Sequence, residues 1–255
     1  MGALHAGHLS LVATSIAEND RTVVTVFVNP LQFAPGEDFE RYPRDLDRDR
    51  AALGPFAVDI VFAPTTGEMC PRGATTRVSV GALDEILDGA RRPGHFEGVA
   101  TVVSKLFWAV RPDRAYFGQK DAQQAALVGR LAADLGTGIT VRVCPIVREP
   151  DGLALSSRNR YLDPDHRRAA SVLPRALRRA NDAYLAGERD LMGLAGVLRA
   201  ELATEPLAHV DYAELVDPDS FIAPGRLAVL AVMIGSTRLI DNHLLGDTFQ
   251  NALSG

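Results

Sequence analysis

Two histidines stand three residues apart near the start of the chain. His5 and His8 occur in the run His-Ala-Gly-His, and on a helix that opens near Leu4 their imidazoles share one face. Gly7 between them leaves room for a ligand to approach the backbone. Because imidazoles beside the free amides of a helix N-terminus bind phosphate, the spacing predicts a phosphate site. Two unrelated surface histidines are the alternative, and a metal pair is disfavoured because no carboxylate or cysteine lies nearby in the sequence.

Two amide side chains lie at the end of the strongest predicted strand of the first half of the chain. Asn29 and Gln32 lie in the run FVNPLQF, which ends a predicted strand. Ligands of open α/β sheets bind beyond the carboxyl ends of the strands, and uncharged amides suit hydroxyl or amide groups of a substrate. The alternative is that Asn29 only caps the turn that Pro30 stiffens.

A third candidate group follows the strand-like run AYFG. Lys120 offers a point charge to a phosphate. Asp121 either caps the next helix or holds Mg²⁺. Gln124, three residues further on, points back toward the same strand end and can hydrogen-bond an uncharged group, with simple surface exposure as the alternative.

A fourth group, Ser156, Ser157 and Arg158, opens the second half of the chain. Two hydroxyls and a guanidinium in a short loop can form a phosphate clamp. Such a tripeptide is common by chance, so its weight comes from its place at a predicted domain junction, where clefts form. We expect it to complement the histidine pair across that cleft.

A Gly/Pro-rich loop before a long helix supplies second-rank candidates. Asp88, Arg92 and His95 lie in this loop and could line or cover a site, although a solvated turn explains them almost as well. Tyr42 is a further second-rank candidate.

The pattern of the elements changes near residue 148. Before it, β-rich runs alternate with helices, which predicts a doubly wound, Rossmann-like parallel sheet in a domain 1–148. After it, two helical stretches precede short strands, which predicts a smaller C-terminal α+β domain, 149–255. The predicted strands are 22–28, 58–64, 115–118, 141–147, 210–217, 227–234 and 236–242, and the predicted helices are 99–110, 121–135, 164–185 and 190–205.

The composition is that of a soluble globular protein and favours a small anionic ligand over a polymer. The formal charge of −5 gives no general attraction to nucleic acid or anionic membranes, so a phosphate site must be local. A run of about 18 apolar residues, which a membrane span needs, does not occur. Cys70 and Cys144 have no CxxC partner, which indicates reduced thiols and neither a disulfide framework nor a zinc site. The opening MGALHAGHLSLV lacks the features of a signal peptide, so we expect a cytoplasmic protein.

Taken together, these segments resemble the pantothenate synthetase family, the pantoate:β-alanine ligases, over essentially the whole chain. The resemblance rests on MGALHAGHLSLV, FVNPLQF, RRPGHFEGV, PDRAYFGQKDAQQ, VREPDGLALSSRNRYL and TRLIDN. It implies that pantoate attacks the α-phosphate of MgATP to give pantoyl adenylate and pyrophosphate, and that β-alanine then releases AMP. It also implies a homodimer.

The resemblance assigns roles to individual residues. It implies that His8 donates to the phosphates with support from His5, and that Lys120 and Arg158 stabilise charge on the nucleotide. Gln32 and Gln124 match pantoate-binding positions, with Gln32 also near β-alanine. The implied ATP contacts are Met1, Gly2, Ala3, Leu4, His5, Ala6, Gly7, His8, Gly118, Gln119, Lys120, Asp121, Val147, Leu155, Ser156, Ser157 and Arg158.

Some positions depart from the family pattern. Gln119 and Ala122 stand where the family has a glutamate and commonly an aromatic, which could loosen ribose or substrate contacts. Ala6 replaces a glutamate at the variable position of HxGH. The family also has a strand ending in Pro-Thr before the position of Met1, and this first strand is absent from the chain. We hypothesise that Met1 is an internal methionine taken as the start.

Three other interpretations remain open from the sequence. A related HxGH nucleotidylyltransferase is disfavoured because FVNPLQF and KDAQQ offer amides instead of extra cations. An N-terminally truncated, impaired homologue and a catalytically silent nucleotide-binding protein both follow from the absent strand and Gln119.

Overall fold

In a computed structural model, residues 1–34 and 36–249 are described. The chain divides into two compact units. The first comprises Met1–Gly118 and Gln123–Cys144, and the second comprises Gln119–Ala122 and Pro145–Gly255, of which 145–249 are described. The domains predicted from sequence, 1–148 and 149–255, stay a prediction beside this division.

The first unit alternates helices with short parallel strands. Strand β1 (Val23–Thr25) pairs with β2 (Ile60–Phe62), with Val24 opposite Val61. Strand β3 (Arg114–Gly118) pairs with β4 (Thr140–Cys144), with Tyr116 opposite Arg142. The parallel strands thus form two separate pairs. The elements in chain order are α1 (Ala6–Glu18), β1 (Val23–Thr25), α2 (Leu46–Leu53), β2 (Ile60–Phe62), α3 (Thr66–Met69), α4 (Asp88–Arg91), α5 (His95–Val110), β3 (Arg114–Gly118), α6 (Ala122–Asp134) and β4 (Thr140–Cys144).

Strand β1 is shorter than the apolar run 22–28 that predicts it. Its backbone hydrogen bonds nevertheless continue past Thr25, because the Val26 amide donates to the Phe62 carbonyl and the Phe27 amide donates to the Met1 carbonyl. The extended chain therefore runs on directly to Asn29. A small core of Val12, Val24 and Leu53 joins α1, β1 and α2 behind this segment.

The second unit packs helices on an antiparallel sheet. The sheet has the order β5 (Ala208–Val216), β6 (Leu227–Ile234), β7 (Thr237–Leu244). Leu177 of α8 (Val172–Leu185) and Leu198 of α9 (Leu191–Leu202) are fully buried in one core with Leu230 of β6. The elements are α7 (Pro164–Ala169), α8 (Val172–Leu185), α9 (Leu191–Leu202), β5 (Ala208–Val216), β6 (Leu227–Ile234) and β7 (Thr237–Leu244). The predicted fold class, α/β with parallel strands followed by a smaller α+β part, is confirmed.

The single helix predicted over 164–185 is wrong, because the structure breaks it into α7 and α8 around Ala170 and Ser171. Pro174 supplies the reason. It has no amide hydrogen to donate to the carbonyl four residues earlier, and its ring clashes with that carbonyl in a continuous helix. In the residues that the structure describes, no helix is both long and apolar enough to cross a membrane.

Candidate active site

The two histidines of the HAGH motif lie side by side at the start of α1. Their rings stack with centroids 4.1 Å apart and an interplanar angle of 30°. His5 is the N-cap residue of α1, and its carbonyl accepts from the amides of His8 and Leu9 at 2.8 and 3.0 Å. The first turn of α1 carries no acidic residue. The imidazoles therefore stand at the positive end of a helix dipole, which favours an anionic ligand.

A buried carboxylate fixes the backbone just before this pair. Asp49 of α2 is 3% exposed and accepts from the amides of Ala3 at 3.1 Å and Leu4 at 2.7 Å. Ala3 has a φ of 52°, a left-handed conformation that non-glycine residues adopt rarely. The expected helix start near Leu4 is therefore two residues too early: α1 begins at Ala6, because Asp49 binds the preceding amides outside the helix.

The turn after β1 holds the first candidate glutamine. The Asn29 side chain caps a short 3-10 helix, Pro30–Gln32, by accepting from the Leu31 amide at 3.0 Å. Its Nδ2 donates to Gln32 Oε1 at 3.2 Å and to the Gly98 carbonyl at 3.0 Å. Asn29 thus does act as a cap, as one of the two interpretations of the sequence expected, and it also orients the Gln32 side chain.

Arg92 and His95 hold the backbone of the same turn. Arg92 Nη2 donates to the Gln32 carbonyl at 3.2 Å, and His95 Nδ1 lies 2.8 Å from that oxygen. Glu37 accepts from Arg92 Nε and Nη2 at 2.8 and 2.7 Å. A carbonyl can only accept, so Nδ1 carries the proton, and His95 Nε2 accepts from Arg92 Nη1 at 3.0 Å. The two second-rank candidates therefore lie against Gln32 instead of in a solvated turn.

The histidine of this group is held neutral. Burial lowers the pKa of His95 from 6.5 to about 4, and the adjacent Arg92 guanidinium contributes to this decrease. Burial of Glu37 raises the pKa of its carboxyl, but the hydrogen bonds and the positive charge of Arg92, together with smaller contributions from its other neighbours, leave the pKa below its ordinary value. At neutral pH the group therefore contains one ion pair and a neutral imidazole whose tautomer the Gln32 carbonyl selects.

Neighbouring glutamines of α6 have different surroundings. Gln123 is buried: its Nε2 donates to the carbonyls of Leu83 and Ile86, both at 2.9 Å, and its Oε1 accepts from the Asp88 amide at 3.1 Å. Gln123 therefore fastens the loop before α4. Gln124, the predicted pantoate contact, is half-buried. Asp88 opens α4 and is buried.

The remaining second-rank candidate, Tyr42, ends the 3-10 helix Asp38–Arg41 and packs edge-on against Phe33 with ring centroids 5.8 Å apart. Phe33 directly follows Gln32 in the chain, so Tyr42 braces the end of the same turn.

In the second unit, Lys120 lies in the 3-10 turn Gln119–Asp121. Its Nζ is 3.3 Å from Asp121 Oδ1. Asn242 of β7 donates from Nδ2 to the carbonyls of Gln119 at 2.8 Å and Lys120 at 3.1 Å. The backbone that carries the candidate phosphate-binding lysine is therefore tied to the sheet of its own unit.

The Ser-Ser-Arg segment follows a hairpin in the same unit. Arg148 and Ala154 form an isolated antiparallel β-bridge, and the Leu155 amide donates to the Val147 carbonyl at 2.9 Å. The Ser156 hydroxyl then caps the 3-10 helix Ser157–Tyr161 by accepting from the Arg158 amide at 3.3 Å. Ser156 is thus a local cap as well as a candidate ligand.

The residues present do not form a magnesium site of their own. Among residues 1–34 and 36–249, no three His, Cys, Asp or Glu side chains group closely enough to hold a metal ion. Asp121 is the carboxylate predicted from the sequence as a possible Mg²⁺ ligand. It lies 3.3 Å from the Lys120 ammonium, which repels a second cation. Mg²⁺ in nucleotide sites is commonly held by phosphates with few protein ligands, so magnesium stays a prediction.

Three polar residues that support the site were not singled out by the sequence analysis. Asp49 lies in the charged run LDRDRAAL, which is typical of an exposed helix, and Glu37 lies in a loop. Asn242 offered a signal, because with Asp241 it interrupts an apolar strand pattern.

The chain is similar to known proteins over nearly its whole length. The model of the family "Pantoate-beta-alanine ligase" matches residues 1–244. A pantothenate synthetase of Roseiflexus castenholzii is 55% identical over 250 residues, which are 96% of this chain and 90% of that protein. One of Acidobacterium capsulatum is 54% identical over 253 residues, 97% and 85% of the two chains.

Solved structures of the same kind superimpose on the chain. A pantothenate synthetase of Thermus thermophilus has a TM-score of 0.92 at 47% identity, covering 96% of this chain and 91% of that one. A pantoate-beta-alanine ligase of Francisella tularensis, complexed with beta-gamma ATP and beta-alanine, has a TM-score of 0.82 at 34% identity, covering 98% and 89%. The chain therefore belongs to the pantoate-beta-alanine ligase family.

Proposed function

We propose that this chain catalyses the ATP-dependent condensation of pantoate with β-alanine to pantothenate. A pantoate carboxylate oxygen attacks the α-phosphorus of ATP, the bond to the β-phosphate breaks, and pyrophosphate leaves. The amine of β-alanine then attacks the acyl carbon of pantoyl adenylate, the bond to the phosphate oxygen breaks, the amine loses a proton, and AMP leaves.

The observation that carries this proposal is the family match over residues 1–244, together with relatives above 50% identity along nearly the whole chain. The matched span includes every candidate site residue. The Francisella tularensis relative has beta-gamma ATP and beta-alanine in its crystal, which are the types of ligand that the first and second steps require. A nucleotidylyltransferase or a silent nucleotide-binding protein is not favoured by these relatives.

In the first unit, His8 is proposed to donate a hydrogen bond to the phosphates of ATP, with His5 stacked against it at 4.1 Å. The stack and the helix N-terminus together hold donors in place before the negative charge develops, so little reorganisation is needed during the reaction. Gln32 and Gln124 are proposed to bind pantoate through their neutral amides, and Gln32 to contact β-alanine as well.

In the second unit, Lys120 and Arg158 are proposed to stabilise charge on the nucleotide and the leaving pyrophosphate. Their contribution is positioning and charge stabilisation, which dominate transfer at phosphorus. The other ATP contacts implied by the resemblance, 1–8, 118–121, 147 and 155–158, belong to the same proposal.

Two measurements on the purified protein test the function. Pyrophosphate release from ATP must depend on pantoate, and AMP formation must then depend on β-alanine. Lys120→Met removes the charge and keeps most of the side-chain stem, and we expect a loss of about a hundredfold or more in kcat. The chain has one other lysine, Lys105, whose ammonium donates to the Met69 carbonyl, so Lys105→Met is the matched control.

Pyrophosphate release that does not depend on pantoate would contradict the proposed ligase activity. ATP binding without turnover would favour the silent nucleotide-binding protein. We also propose that Mg²⁺ enters with ATP, that the protein is a cytoplasmic homodimer, and that it binds neither nucleic acid nor membranes. Metal titration of the activity tests the requirement for Mg²⁺, and light scattering of the purified protein tests the homodimer.

A further inference from the structure

Two polar residues lie next to each other in strand β7 of the second unit. Asp241 is 2% exposed and Asn242 is 3% exposed. Both belong to the segment 237–242, to which the proposed reaction assigns no role. Burying polar groups costs free energy unless they are hydrogen-bonded, so their partners indicate what they do.

The Asn242 amide is used completely by one short turn. Its two Nδ2 hydrogens match two acceptors, the carbonyls of Gln119 and Lys120 at 2.8 and 3.1 Å. Its Oδ1 lies 3.5 Å from Gln119 Nε2, which donates to it. A flipped amide would set Oδ1 against two carbonyl oxygens, and an aspartate has no hydrogen to donate, so the contact requires an amide in this orientation. Asn242 thus fixes two consecutive peptide groups at Lys120.

Asp241 fastens a second segment from the adjacent position. Its carboxylate forms a bidentate ion pair with Arg148, with distances of 2.7 and 3.0 Å, and Arg148 is 4% exposed. Arg148 Nη1 also donates to the Gly152 carbonyl at 3.0 Å, across the hairpin that leads into Ser156. The Asp241 carboxylate in turn accepts from the backbone N–H of Asn242 at 2.8 Å. One point of β7 therefore holds both segments.

The chemistry of this network favours geometry over stability. A buried ion pair can often be replaced by packed apolar residues without loss of stability, whereas polar partners select one arrangement. The two segments that the network holds carry the cations and hydroxyls assigned above to the phosphates.

We propose that Asp241 and Asn242 are positioning residues for the transfer of the adenylyl group. Asn242 acts through the backbone of Lys120, and Asp241 acts through Arg148 on the hairpin that leads to residues 156–158. The inference rests on the proposed function, in which those residues bind ATP. Neither positioning residue contacts a substrate in this scheme.

Steady-state kinetics of Asn242→Ala tests the route through Lys120. We expect kcat/KM for ATP to fall by about ten- to a hundredfold, because small displacements of a catalytic group are costly, while KM for pantoate changes by less than about twofold. Asn242→Ser, which keeps one donor, is the second variant, and its kcat/KM for ATP is expected to lie between the values of Asn242→Ala and the unsubstituted protein.

Asn181→Ala is the matched control. Asn181 is also buried in the second unit, and its side chain accepts from the Gly246 amide and donates to the Asp247 carbonyl. The control therefore removes the same side-chain atoms and the same kind of contacts at another turn. We expect it to lower kcat/KM for ATP by less than about threefold, whatever its effect on melting temperature.

A double-mutant cycle separates positioning from a purely structural role. In a Lys120→Met background, Asn242→Ala should cost less than about threefold, because the group through which it acts is already gone. If the effects of the two substitutions on kcat/KM for ATP simply multiplied, the inference would be overturned. It would also be overturned if the Asn242 variants lowered kcat/KM for ATP no more than Asn181→Ala does. If the unsubstituted protein released no pyrophosphate in response to pantoate, the proposed function would fail and the inference with it.

Discussion

Helix α5 approaches the Gln32 turn so closely that a single methyl group tests the arrangement. A Cβ on Gly98 would lie 2.2 Å from the Leu31 carbonyl oxygen and 2.9 Å from the Gln32 amide nitrogen. These are backbone atoms and cannot swing aside like a flexible side chain. Gly98→Ala must therefore move either the helix or the turn that carries Gln32.

The expected size of the effect follows from two opposing contributions. Alanine in place of glycine inside a helix gains about 0.5–1 kcal/mol, whereas forcing an extra carbon into a packed region costs about 1–3 kcal/mol. Because the clash is with backbone, we expect the upper end of the cost and a net loss of about 2 kcal/mol. At about 2–4 °C per kcal/mol for a chain of this size, Tm should fall by roughly 4–8 °C.

Gly129→Ala is the matched control, because Gly129 also lies inside a helix and no atom lies within 4 Å of its added Cβ. Without a clash, only the helix gain of about 0.5–1 kcal/mol remains, and Tm should rise by roughly 1–4 °C. Thermal unfolding of the two variants measures both shifts.

Activity supplies the second readout for Gly98→Ala. We expect KM for pantoate to rise about tenfold, because Gln32 is displaced, and KM for ATP to change less. If Gly98→Ala matched Gly129→Ala in both Tm and KM for pantoate, the close packing of α5 on the turn and the role of that turn would both be refuted.

Three further substitutions test other buried groups. Asp49→Asn sets an NH2 donor against one of the two backbone N–H donors before the histidine pair, so we expect a loss of about 1–3 kcal/mol in the free energy of unfolding and a lower kcat. Asp47 is exposed on the same helix, and Asp47→Asn should change neither quantity. Because burial holds the pKa of His95 at about 4, the unfolded chain binds a proton between pH 6.5 and 4 that the folded chain does not, and the free energy of unfolding should fall by up to about 3 kcal/mol as the pH drops through this range. Denaturant unfolding of His95→Gln should show a smaller decrease, and equal decreases in the two proteins would contradict the lowered pKa of His95. Asp241→Asn leaves a buried guanidinium without its countercharge and should cost about 3–5 kcal/mol in denaturant unfolding, while a cost below about 1 kcal/mol would show that the pair is not buried in solution.

Local sequence patterns were sufficient for the fold class. The continuous apolar run 227–234 coincides with strand β6, and the β-rich runs alternating with helices appear as parallel pairs. Element ends were less accurate. Helix α1 begins late because of Asp49, and the predicted helix 164–185 breaks because Pro174 is incompatible with a continuous helix at Ala170.

The histidine pair, the amides of FVNPLQF and the Ser-Ser-Arg segment could be named as candidates from their types and spacing, because each group lies within a few consecutive positions. The further ATP contacts and the individual roles rest on the resemblance to the family. Asn29 was assigned to its turn for the same reason, since a cap is a contact with the next residues in the chain.

The groups that hold those residues in place were decided by the tertiary structure. Asp49 reaches Ala3 across 46 positions, and Asn242 reaches Gln119 across 123 positions. No local periodicity encodes such contacts, because a hydrogen bond between distant segments depends on how strands and helices pack, whereas hydrophobic patterns report only which face of one element is buried. The sequence by itself thus determined which side chains are candidates for the chemistry, and packing decided which buried polar groups lie against them.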